Sequence, residues 1–318
     1  MNAGRIRVPG ARSIKIMKPP RCFLASAALL LFLSPLALPA GVVTLTPVAD
    51  TALFEQIPDN NLGASQSVAA GNTAAASATR ALMKFDLREA VPAGSRIVGA
   101  SLELTVVRAS ALVEPATFHA HRLLVDWGEG NKGAGTVTGT GSPADNGEAT
   151  WNSRFHGQTQ WSSPGGASGI DYASEMSATA GIGTTEPLVF SSSALAGDVQ
   201  RWVDEPASNF GWMFKDEFEG SATTARRIGS REHPTAQPKL VVQFEAPLRI
   251  LSSGLRDGKF CLKFMAQGRG YIVQAREAVD SGDWQTVWVL PAADVPMEVE
   301  ICDPAPVTGA KFYRVMEL

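Results

Sequence analysis

The chain has 318 residues, with 28 Lys and Arg against 31 Asp and Glu, a formal net charge of −3, and 30 Gly, 20 Pro and 3 Cys. Six of the basic residues and none of the acidic ones lie in the first 40 positions, so the rest of the chain carries 22 basic against 31 acidic residues, net −9. That balance excludes a general binder of nucleic acid or of an anionic membrane surface.

Residues 1–40 read as a secretory signal. Basic residues without acids precede an apolar run at 23–38 that ends in the small Ala40. The run falls short of the roughly 20 residues a membrane-spanning helix requires, so no membrane span is expected in the mature chain. Cleavage is expected after Ala40. Met17 also heads a compact signal, and the sequence leaves the start at Met1 or Met17 open.

From position 42 an alternating strand precedes a loop at 58–63. RALMKFDL at 80–87 sets Ala81, Met83, Phe85 and Leu87 on one face and Arg80, Lys84 and Asp86 on the other. IVGASLELTVV at 97–107 repeats the alternation, with Leu102, Leu104 and Val106 against Glu103, Thr105 and Val107. This period fits strands packed on one face and exposed, or covered by loops, on the other. A further strand at 117–125 carries His119 and His121 on one face. The stretch 153–183, rich in Gly and Ser, reads as a long loop, a feature usually functional or disordered in a compact domain.

DVQRWV at 198–203 spaces Val199, Trp202 and Val203 as a short amphipathic helix. A strand at 210–214, a basic hairpin-like segment ARRIGSRE at 225–232 and the strand KLVVQF at 239–244 follow. Short strands separated by Gly and Pro predict an all-β chain: a jelly-roll-type β-sandwich over 41–246, then a smaller immunoglobulin- or fibronectin-like β-sandwich over 247–318 with five strands. In the second domain alternation puts Cys261 and Cys302 on outward strand faces. A cross-strand disulfide forms there if the two strands are neighbours, and two free thiols result if they are not.

Ala49-Asp50-Thr51, RALMKFDL with the following PAGSRIVGASLEL, Trp127-Gly128-Glu129, Ala149-Thr150-Trp151-Asn152, DVQRWV, NFGWMF and Ser230-Arg231-Glu232 before PKLVVQF occur in order. With these motifs, residues 46–245 resemble the DNRLRE domain, which overlaps carbohydrate-binding module family 96. The resemblance implies a secreted, non-catalytic jelly-roll module, with acidic polysaccharides among the family's ligands. The last 70 residues resemble the small β-domain that often follows such modules.

A sugar site needs aromatic platforms beside polar groups. Trp161 is the exposed candidate; Trp127 and Trp151 either join it or pin the loops, and Trp202 and Trp212 belong to the core. Arg80, Lys84, Arg226, Arg227 and Arg231 are the concentrated cations that can meet carboxylates, arginine in bidentate fashion. The competing reading of the last three is a solvated hairpin, with Arg231 paired to a nearby acid. No metal site is expected from His119 and His121, which lack a third ligand. Asp59, Asn60 and Asn61, or Asp145, Asn146 and Glu148, offer oxygens for structural calcium without matching an EF-hand loop, so no cofactor is expected. Glu129 and Glu148 are acids of the kind a glycosidase pairs, but their separation is not given by sequence. The expected function is non-catalytic binding of a polysaccharide, acidic by the resemblance. The alternative is an adhesive or structural cell-surface protein that binds other proteins.

Overall fold

The computed structural model describes residues 41–135, 139–183, 187–220, 223–267, 269–278, 282–293, 295–307 and 309–318. The expected leader, 1–40, lies outside the described residues. The described chain divides into two compact units, 41–247 and 248–318.

In the large unit the strands begin with β1 Gly41–Leu45, β2 Ala49–Phe54, β3 Asn60–Asn61, β4 Ser67–Asn72, β5 Ala78–Lys84, β6 Arg96–Ala109 and β7 Ala116–Arg122. They continue with β8 Ser142–Pro143, β9 Ser153–Phe155, β10 Thr159–Gln160, β11 Ala178–Ile182 and β12 Pro187–Ser191. The helix α1 Ser193–Asp204 is followed by β13 Trp212–Asp216, β14 Arg226–Gly229 and β15 Lys239–Glu245. Eleven strands form one antiparallel sheet in the order β1-β15-β6-β14-β4-β5-β13-β7-β11, with β12 also pairing β6 and β2 also pairing β5. The sheet curls into a jelly-roll-type sandwich. Leu102, Leu104 and Val106 of β6, Ala81 and Met83 of β5, Phe118 of β7 and Phe214 of β13 share one buried cluster.

The alternation read from β5 and β6 determines which side chains enter that cluster. In β6 the inward residues are buried while Glu103, Thr105 and Val107 are exposed. In β5 both faces are covered. The second face, with Leu82, joins Leu53, Trp127, Trp151, Trp161, Tyr172 and Met213 under the loops.

Three elements differ from expectation. The helix starts at Ser193 rather than 198, because Ser192 Oγ accepts the Leu195 N–H and caps an earlier turn; Leu195 then extends the buried stripe of Val199, Trp202 and Val203. The 225–232 segment is not a hairpin: its first residues form β14, an interior strand between β4 and β6, and only residues beyond Gly229 turn away. The 153–183 stretch contains the β9–β10 pair and β11, which pairs β7 at the end of the sheet. The alanines and glycine of ATAGI hide that strand, since small residues carry little β-propensity.

The small unit has six strands, β16 Arg249–Arg256, β17 Lys259–Ala266, β18 Tyr271–Arg276, β19 Gln285–Leu290, β20 Met297–Cys302 and β21 Phe312–Glu317. They form two three-stranded sheets, β16-β17-β20 and β19-β18-β21. Phe260, Leu262 and Phe264 of one sheet pack with Tyr271, Val273 and Tyr313 of the other. The count is six rather than five because β16 is a nearly fully exposed edge strand with no apolar period to betray it. Cys261 and Cys302 are register partners of β17 and β20 and form a disulfide. Cys261 is buried, not outward as alternation suggested, because three successive residues of β17 are covered.

Candidate functional site

The motifs scattered through the large unit meet around Asp50. Strand β2 supplies Asp50, the loop after Trp127 supplies Glu129, and the residues after β14 supply Arg231 and Glu232. The Asp50 N–H donates to Glu129 Oε1 at 2.9 Å, and Asp50 Oδ2 accepts the Arg231 N–H at 2.6 Å. The Arg231 guanidinium donates to both oxygens of Glu129, at 2.7 and 3.1 Å, and lies 2.9 Å from Glu232 Oε1. Asn61 ties the layer beneath: its Nδ2 donates to the carbonyls of Glu129 and Ala149 at 2.8 and 2.9 Å, and its Oδ1 accepts the Gly63 N–H. Gly130 runs at φ 85° against the Asn61 amide, where a Cβ would collide with it.

Two carboxyls, Glu129 and Glu232, meet the Arg231 guanidinium, and a third, Asp50, accepts the Arg231 backbone N–H. Burial pushes Asp50 up to about 8, with the charges of Glu232 and Glu129 adding to it and the Arg231 contacts opposing. Burial likewise raises Glu129 above its ordinary range, against the Asp50 and Arg231 hydrogen bonds. Asp50 is fully buried, so its end of the network is internal framework, while the Arg231 side chain at the other end reaches solvent.

The sequence candidates fall into three groups. The tryptophans are pins. Trp161 is only 4% exposed and donates Nε1–H to the Thr150 carbonyl at 2.8 Å, which corrects its expected role as an exposed platform. Its Gly- and Ser-rich neighbours looked like open loop, but the Thr150 carbonyl gives the buried indole its polar partner. Trp127 donates to the Phe210 carbonyl at 2.9 Å, and Trp151 is buried in the same cluster. Trp202 and Trp212 lie in the main core, ring centroids 4.4 Å apart.

Most of the cations are already paired. Arg80 makes two 2.7 Å hydrogen bonds to Glu219, one to the Gly165 carbonyl at 2.7 Å, and stacks over Trp151 at 5.0 Å. Burial resists ionisation of Glu219, but Arg80 and Lys215 outweigh it and hold the carboxyl below its ordinary range. Lys84 meets Asp126 at 3.4 Å. Arg231 is held as described. Arg226 is 1% exposed and donates to the carbonyls of Gly183, Thr224 and Glu114 at 2.7–2.8 Å. As a strand residue whose guanidinium caps loop carbonyls, it cannot serve as the surface ligand for a carboxylate that its basic neighbourhood suggested.

Arg227 is different. It is half-buried, its Nη2 donates to the Gly139 carbonyl, and its Nη1 is buried without a hydrogen-bond partner. Its register partner on β6 is Arg108, a residue sequence reading passed over because only the β14–β6 pairing brings the two together. Burial and the Arg108 charge lower Arg227 to about 10.

His119 and His121 lie 5.9 Å apart edge to face, with His121 Nδ1 against the Ala173 carbonyl at 2.9 Å. The calcium candidates serve their loops. Asp59 accepts from Asn152, Asn60 donates to the Thr140 carbonyl, and Glu148 accepts the N–H groups of Asn131 and Asp145. Asp145 pairs with Lys132. Among the described residues no three His, Cys, Asp or Glu side chains are grouped to hold a metal ion. Glu129 and Glu148, the acids considered for glycoside chemistry, are each engaged by backbone N–H groups.

No protein-family model and no curated protein matches the chain. Among solved structures it is similar to the N-terminal CBM22-1-CBM22-2 tandem domain of Paenibacillus barcinonensis Xyn10C, at 11% identity, over 89% of this chain and 91% of that one, with a TM-score of 0.26. A likeness that low carries no argument about ligand. Among the described residues no helix is long and apolar enough to cross a membrane.

Proposed function

We propose that the chain is an exported, non-catalytic carbohydrate-binding protein of the DNRLRE type, directed at an acidic extracellular polysaccharide. The observation that carries the reading is the convergence of the motifs. Asp50, Glu129, Arg231 and Glu232 come from three of the segments that resemble that family, and they close on one network of hydrogen bonds and ion pairs. The Cys261–Cys302 disulfide in a chain of 3 cysteines agrees with folding in an oxidising compartment after export. The network fixes loops on the sandwich, the arrangement by which a rigid scaffold presents a binding surface.

The test is depletion of the purified mature protein from solution by insoluble polysaccharides, acidic and neutral, in parallel with pull-down from a cell-surface protein extract. Depletion by a polysaccharide supports the proposal. Capture of surface proteins with no depletion by any polysaccharide replaces it with the adhesive reading.

A further inference from the structure

We infer that Arg108 and Arg227 form a binding site for a carboxylate or sulfate group, the anionic handle by which an acidic glycan is held. The inference rests on the glycan-binding reading for the source of its ligand, but its chemistry stands on the geometry alone. The two arginines are direct cross-strand partners, Arg227↔Arg108, beside the bulge where the β14–β6 register shifts between Arg227 and Ile228. Like charges directly opposite on adjacent strands are destabilising. Every other arginine or lysine singled out in this unit is relieved by a carboxylate or by three backbone carbonyls. This pair is not. Among the described residues the Arg108 side chain makes no ion pair or hydrogen bond, and the residue is exposed.

Arg227 adds a second, independent sign. A buried donor without an acceptor costs free energy, more so when charged, so an orphaned guanidinium nitrogen on the strand beside a second arginine marks a place where an anion would supply what is missing. The Gly139 carbonyl takes Nη2 and fixes the plane of the group, and a side chain at 139 would collide with it. The remaining Nη1 and the exposed Arg108 on the neighbouring strand then offer donors to an anion, and guanidinium donors suit planar carboxylate or tetrahedral sulfate. Burial and Arg108 both push the Arg227 pKa downward, in keeping with two cations held together without a counter-ion.

The experiment follows thermal unfolding of the mature protein at fixed ionic strength with three probes: sodium sulfate, a tri-uronate and a neutral trisaccharide. It compares wild type with Arg108→Gln and Arg227→Gln. The expected result is a rise in Tm with sulfate or tri-uronate that Arg108→Gln abolishes, while Arg227→Gln without ligand is at least as stable as wild type. A response to tri-uronate but not sulfate identifies a glycan carboxylate as the source; a response to sulfate alone identifies a free anion. No response to either, or an equal response in wild type and Arg108→Gln, overturns the site. Arg108 is exposed, so its substitution leaves folding intact should Arg227→Gln disturb the loop. A neutral trisaccharide that stabilises all three proteins equally, with no effect of the anions, leaves glycan binding standing and removes this site from it.

Discussion

Arg231 and Glu129, 102 positions apart, are joined by two side-chain hydrogen bonds of 2.7 and 3.1 Å, and through them the end of β14 is fastened to the loop that follows Trp127. Arg231 is 38% exposed at its side chain and Glu129 20%, so solvent screens part of the attraction. Removing one partner also strands hydrogen bonds of the other. Arg231→Ala is expected to destabilise the protein by about 1–2 kcal/mol, less than the 3–5 kcal/mol of a fully buried pair. Urea unfolding measures it.

Asp50 gives a pH dependence of definite sign. Its folded pKa is about 8 against an ordinary value of 3.8, so the folded state keeps the proton over a range where the unfolded state has lost it. Its contribution is therefore fully present below pH 3.8 and is lost progressively as pH rises to about 8. In Asp50→Asn the amide mimics the protonated carboxyl and cannot titrate. The stability of wild type relative to Asp50→Asn should fall between pH 4 and 8 and then level off. Taking the difference removes the opposing effects of Glu219 and Asp303, whose pKa values are lowered. Chemical denaturation of both proteins across this range tests it, and a flat difference sinks the assignment of a buried neutral Asp50.

Trp161 separates a pin from a platform. Trp161→Ala should cost about 3–5 kcal/mol, the range for emptying a buried aromatic site. Trp161→Phe keeps most of the packing and loses the bond to Thr150, so it should cost about 1–2 kcal/mol and leave glycan affinity unchanged. Affinity lost in the Phe variant with stability retained would restore the platform role.

The Cys261–Cys302 bridge closes a loop with a sequence separation of 41, for which the chain-entropy estimate is about 4 kcal/mol. Reduction, or Cys261→Ser with Cys302→Ser, should lower the stability of the small unit by a few kcal/mol. Amide hydrogen exchange of β17 and β20 in guanidinium, with and without reductant, reports it.

How far the fold could be read ahead of the structure depends on where the alternation is clean. In β5 and β6 apolar and polar residues take turns, and both the strands and their inward faces follow directly. In β14 they do not. Arg226 sits at an inward position, 1% exposed, because three loop carbonyls satisfy its guanidinium, and no local pattern announces that long-range partner. Basic residues therefore read as a solvated hairpin when they are an interior strand. The same limit hid the arginine pair: the charge of Arg227 is visible in the sequence, whereas Arg108 acquires its meaning only from the register with β14. Trp161 misled for the opposite reason, its Gly- and Ser-rich surroundings resembling open loop while its hydrogen-bond acceptor lay 11 residues upstream.

Affinity electrophoresis of the mature protein through gels containing a polyuronate or neutral dextran tests the central claim most directly. Retardation by the polyuronate, weakened at least tenfold in apparent affinity by Arg108→Gln and unchanged by Trp161→Phe, is the predicted result. Migration unaffected by any of the polysaccharides would contradict it.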